Sequence, residues 1–187
     1  MGWMIRRIVV FSVVCGLLIT PLDSLQVGLG VETPAAHPWI ITIQFAVVGA
    51  VIAVLSRVID PKPKREPLRD LVVSGALFVA GYVCTAPQAK GVASTTFVYF
   101  LLLLSVMGFR AHGRGILRET LLFSVLLAAT GTLTEILYIH LGGFEYHAPT
   151  ILGVPPWLPF EYAAAGPLVR GLAAETTRPL PAGSYSG

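Results

Sequence analysis

Residues 130–170 read TGTLTEILYIHLGGFEYHAPTILGVPPWLPFEYAAAGPLVR. Two glutamates, Glu135 and Glu161, sit in segments otherwise apolar enough for lipid. Between them comes a short turn-rich piece with Gly142, Gly143, Phe144, Tyr146, His147 and Pro149, followed by the run GVPPWLP. Glycine and proline punctuate the chain there, so the stretch reads as two membrane helices joined by a hairpin.

The rest of the composition agrees. Hydrophobic residues make up 55% of the 187 and charged residues 12%, against about 25% charged in soluble proteins. The apolar runs are continuous rather than alternating, which selects helices over a closed barrel. The pI near 9.1 does not indicate nucleic acid, because the basic residues are spread over loops rather than gathered in a patch. Cys15 and Cys84 both fall inside apolar segments, so no disulfide framework is expected.

A helix needs about 20 residues to cross the hydrocarbon layer. Six candidates follow, at residues 5–25, 39–59, 68–85, 92–109, 116–141 and 156–172. Together they predict an all-α integral membrane protein: one six-helix transmembrane domain over residues 1–174, with a disordered polar tail at 175–187. The first helix is short enough to imitate a signal peptide. Its exit, Thr20-Pro21-Leu22-Asp23, lacks a small-residue cleavage pattern, so it is read as retained. Placing both termini in the cytoplasm leaves Lys90 alone of the 13 Lys and Arg residues on the far side, as the positive-inside rule requires.

Ionisable side chains inside a bilayer are costly and turn toward protein or a wet cavity. On its helix Glu135 shares a face with Ala128, Gly131, Thr132, Tyr138 and Gly142, which is small and polar and therefore inward. Three roles stay open for it: a structural hydrogen bond to Gln44, Thr96 or Tyr99, the anchor for the polar end of a lipid-like ligand, or proton or catalytic chemistry. Glu161 reads as a helix-start residue near the surface, favoured there by the helix dipole. His140 and His147 beside these glutamates match no zinc spacing, and no nucleophile elbow, phosphate loop or dinucleotide fingerprint is present. No metal, cofactor or catalytic residue is assigned. Arg110, Arg114 and Arg118 could meet anionic headgroups, although topology alone accounts for them.

Several pieces of the C-terminal part resemble one family. They are Thr134-Glu-Ile-Leu-Tyr, Gly142-Gly-Phe-Glu-Tyr-His-Ala-Pro149, Trp157-Leu-Pro159 and the basic loop Phe109-Arg-Ala-His-Gly-Arg-Gly. In combination with the topology they are similar to the Insig (insulin-induced gene) proteins; the first three helices match only in pattern. The resemblance implies a non-enzymatic membrane protein of lipid homeostasis, binding a sterol-like or diacylglycerol-like lipid. It also implies the plasma membrane of a bacterium, or the endoplasmic reticulum in a eukaryote, with a membrane-protein partner or further copies of the chain. One departure stands out: the family's acidic residue at the end of the fourth helix, tied to partner binding, is Arg110 here.

The expected lipid pocket lies among the first, third, fourth and fifth helices. Its candidate lining is Ser12, Gly16, Ala76, Ala80, Thr96, Tyr99, Leu103, Gly131, Thr132 and Glu135, an apolar wall with a few polar groups at one end. The rival readings are a small membrane enzyme acting on a lipid or isoprenoid, or a proton-coupled transporter, each with Glu135 as the key carboxylate.

Overall fold

The computed structural model describes residues 2–33, 38–60, 64, 66–89, 93–147 and 151–177. These form a bundle of helices: α1 (Gly2–Gly28), α2 (Pro38–Ile59), α3 (Leu68–Val83), the single turn α4 (Ala86–Ala89), α5 (Ala93–Gly113), α6 (Leu117–His140), α7 (Leu158–Ala164) and α8 (Gly166–Thr177). Six passes result, with α7 and α8 as the two halves of the last one. Among the described residues, four stretches are long and apolar enough to cross a membrane by themselves: Ile8–Gly28, Trp39–Ser56, Thr95–Gly113 and Leu117–His140. The third pass, α3, has 16 residues, about 24 Å at 1.5 Å per residue.

Pro167 explains the break in the last pass. It has no N–H for the carbonyl of Ala163, and its ring crowds that turn, so the helix stops at Ala164 and restarts at Gly166. The restart also lets α8 cross α6 closely. A Cβ built on Gly166 would lie 2.0 Å from Ser124 Oγ. α8 then continues to Thr177, so residues 175–177 are helical rather than part of a disordered tail; residues 178–187 lie outside the described residues.

α1 and α2 make the most extensive pairing. Gly16 faces the Thr42 carbonyl, where an added Cβ would sit 2.5 Å from the oxygen, and Gly49 faces the Ser12 backbone. Small residues let helix backbones approach in a membrane, where no hydrophobic drive separates lipid tails from leucine. The outer surface carries Val9, Val13, Leu102, Val125, Leu133 and Leu137, all exposed, as a lipid-facing surface demands.

One end of the bundle is closed by ion pairs. Arg170, fully buried on α8, reaches Glu66 at 2.6 Å and Asp60 at 3.0 Å, so the last helix clamps both ends of the α2–α3 connection. Arg114 joins Glu66 at 2.9 Å and Arg110 joins Asp70 at 3.0 Å. Lys62, Arg65, Lys90 and Arg178, which enter the charge-based topology, lie outside the described residues.

Candidate functional site

The opposite end is built from loops. α6 terminates in a Schellman motif: Gly142, at φ +77°, and Gly143 turn the chain while their amides bond to Ile139 O at 2.9 Å and Tyr138 O at 3.0 Å. The hairpin that follows pairs with the α1–α2 loop. Glu32 and Tyr146 form an antiparallel bridge, Thr33 N donates to Glu145 O at 2.8 Å and His147 N to Val31 O at 3.1 Å. Tyr146 is thereby aimed inward, packed on Phe144 and Trp157, and its hydroxyl donates to Glu135 Oε2. Tyr162 on α7 donates to Glu135 Oε1.

Glu135 therefore has two phenolic donors, and neither comes from Gln44, Thr96 or Tyr99. Glu161 also departs from its expected surface position. It is 4% exposed, accepts from Gln26 Nε2 at 2.8 Å, and its Oε2 has no partner among the described residues. Tyr162, its neighbour in sequence, bonds Glu135, so the fold gathers the two glutamates at one end of the bundle. Glu32, in the loop above, feels both of them as well as Asp23. Burial first, and then these like charges, push its carboxyl up from the usual 4.5 to about 10. No group of His, Cys, Asp and Glu among the described residues has the geometry to hold a metal ion.

Below this cluster lies an apolar cavity of about 480 Å³, within the range of ligand pockets. α1, α2, α3 and the α7–α8 pair form its walls, through residues such as Cys15, Phe45, Ile52, Phe78, Leu168 and Leu172; Leu127 of α6 and Tyr162 close one side. Among the described residues, none that lines it is charged. Leu17, Leu18 and Val79, all exposed, form the rim, so the cavity opens between α1 and α3 toward the space lipid would occupy. Tyr162 joins the two regions, its ring in the cavity wall and its hydroxyl on Glu135. A second apolar cleft, of about 300 Å³, lies between α5, α6 and α7.

None of the ten residues expected to line the pocket lines this cavity. Ala76, Ala80 and Tyr99 point outward and are exposed. Ser12 and Gly16 are used in the α1–α2 contact, with Ser12 Oγ donating to Ile8 O at 2.7 Å. Leu103 packs beside Gly81 on the α3–α5 side. Thr96 and Thr132 carry buried hydroxyls with no partner among the described residues. Gly131 and Glu135 come nearest, since both meet Tyr162: a Cβ on Gly131 would fall 2.3 Å from its ring. The walls come from α2 and α8 where α5 was expected, and Phe45, Ile52, Leu168 and Tyr162 were missed. The signal for Tyr162 was its place beside Glu161, opposite the small Gly131 face.

No protein-family model and no curated protein matches the sequence. Among solved structures, the fold is that of the Insig homologue MvINS from Mycobacterium vanbaalenii, with a TM-score of 0.70, 22% identity, and 94% of this chain and 97% of that chain covered. A cross-linked trimer of MvINS superposes with a TM-score of 0.68 at the same identity and coverage. The chain is a multi-pass helical membrane protein with the fold of the mycobacterial Insig homologue.

Proposed function

We propose that this chain is an Insig-like, non-enzymatic membrane protein that holds an amphiphilic lipid, sterol-like or diacylglycerol-like, in the cavity among α1, α2, α3 and α7–α8. The observation that carries the reading is Tyr162, whose ring ends an uncharged cavity with a lateral mouth and whose hydroxyl enters a buried polar cluster. A large apolar body fits the walls, and a small uncharged head avoids the desolvation that a charged one would suffer. In this reading the ion-paired end around Arg110, Arg114 and Arg170 faces the cytoplasm. MvINS has been captured as a cross-linked trimer, and the same reading extends self-assembly to this chain.

Purification of the full chain followed by lipid extraction and mass spectrometry tests the proposal. One neutral amphiphile per protein, displaced by added lipid of the same class, is the expected result. Absence of any stoichiometric lipid, together with failure of added diacylglycerol or sterol to bind, would overturn it.

A further inference from the structure

Pro21 interrupts the hydrogen-bond ladder of α1 at the cavity mouth. It lies inside the helix and has no N–H for the carbonyl four residues earlier, that of Leu17. Leu17 and Pro21 both line the cavity, one turn apart on the same face, so the gap in the ladder opens onto it. The residue also lies inside the span Ile8–Gly28, where hydrocarbon supplies no donor.

In membrane helices a freed carbonyl is commonly met by a serine or threonine hydroxyl. The hydroxyls near this one are committed elsewhere. Thr20 Oγ1 donates to Gly16 O at 2.9 Å and pairs with Thr42 Oγ1 at 2.7 Å. Ser24 Oγ donates to Thr20 O at 3.1 Å. Tyr162, the one hydroxyl-bearing side chain among the described residues of the cavity wall, gives its proton to Glu135. The Leu17 carbonyl, at a residue of the rim, is thus left without its helical N–H beside an otherwise apolar cavity.

We propose that the Leu17 carbonyl, released by Pro21, accepts a hydrogen bond from the ligand, so that the cavity selects neutral lipids bearing a free hydroxyl over lipids of equal bulk without one. The inference rests on the lipid-binding reading above and adds the group that recognises the polar part. An ester or ether oxygen cannot replace the hydroxyl, because two acceptors facing each other repel. Charged headgroups are disfavoured because no side chain in the wall compensates them.

The test uses the full-length protein and labelled dioleoylglycerol, competed by three unlabelled probes. These are dioleoylglycerol itself, its methyl ether, and dioleoyl propanediol, in which hydrogen replaces the hydroxyl. The propanediol diester is smaller than the parent lipid, so its weaker competition reports loss of the donor rather than a clash. It is expected to compete roughly three- to tenfold less well, as loss of one neutral hydrogen bond dictates. Pro21→Ala restores the helical N–H and is expected to bring the probes to within about twofold of one another. Should Pro21→Ala fail to fold, Pro21→Leu supplies the same N–H with more side-chain bulk. Equal competition by all probes on the unaltered protein overturns the hydroxyl selection and leaves the lipid reading standing. Full preference retained in Pro21→Ala and Pro21→Leu overturns the role of Leu17. No binding of any probe removes the lipid reading itself, and the selection with it.

Discussion

The Tyr162 hydroxyl donates to Glu135 across the α6–α7 contact while its ring closes one side of the apolar cavity. One side chain therefore ties the polar end of the bundle to the space in which a ligand would sit. Removing the hydroxyl and removing the ring are separable. Tyr162→Phe keeps the wall and leaves Glu135 with Tyr146 alone, so stability should fall by about 1–3 kcal/mol while lipid content stays near that of the parent. Tyr162→Ala should lose both stability and retained lipid. Thermal unfolding in detergent, paired with lipid mass spectrometry, checks the contrast.

Gly131 is where α6 admits that ring. Its missing Cβ would stand 2.3 Å from Tyr162 Cδ1, a distance no relaxed contact reaches. Gly131→Ala should therefore cost about 1–3 kcal/mol by overpacking despite alanine's higher helix propensity. A melting temperature equal to or above the parent's would show that the ring has room to move.

Glu135→Gln separates a static binder from the enzymatic and proton-coupled readings. Glutamine keeps the shape and an acceptor for one tyrosine but carries no titratable proton. The expected outcome is retained lipid binding, within about threefold, with no change in any lipid turnover or proton-dependent uptake measured in liposomes. Loss of such a turnover or uptake, with the fold intact, would favour the rivals.

The Arg170 network predicts a sharp asymmetry between buried and exposed ion pairs. Arg170 and Glu66 are 2% and 3% exposed, and removing Arg170 leaves Glu66 with Arg114 alone and Asp60 without this donor, away from water. Arg170→Ala should destabilise by about 3 kcal/mol. Arg110 pairs with Asp70 at partial exposure, so Arg110→Ala should cost about 1 kcal/mol or less. Denaturant titration of both variants in the same detergent compares them directly. Arg110 finds its complementary charge within the bundle, on Asp70 one pass earlier.

Glu32 makes the fold sensitive to alkali. Its folded carboxyl is raised, chiefly by burial, from the usual 4.5 to about 10. A raised carboxyl contributes stability that is fully present below the unfolded value and is lost as pH climbs through the folded one. Melting temperature should accordingly decline between about pH 4.5 and pH 10. Glu32→Gln, which keeps the polar shape without the proton, should flatten part of that slope. An unchanged slope in the variant would place the titration elsewhere.

Much of this molecule was legible before any coordinate. Continuous apolar runs set the helices, because transfer into hydrocarbon is a local property of about 20 residues. Turn chemistry placed the hairpin after Glu135, and Gly142 ends α6 as its left-handed backbone requires. The C-terminal motifs pointed toward the Insig fold that the structural comparison bears out. Helical faces were less informative. A membrane helix can be apolar all round, so a face toward lipid, a face toward a neighbour and a face toward a cavity share one composition. Ala76 and Ala80, expected in the pocket wall, are exposed; Phe45 and Ile52, absent from the expected lining, face the cavity.

By itself, then, the sequence determined that this chain crosses a membrane repeatedly, where it turns, and that Glu135 must face inward. Only the tertiary structure decided what Glu135 meets. Tyr146 reaches it because the α1–α2 loop pins the hairpin by backbone hydrogen bonds, and Tyr162 reaches it because Pro167 breaks the last pass and frees α7 to lie against α6. Both partners depend on contacts between segments far apart in the chain, which no local pattern of hydropathy or spacing encodes.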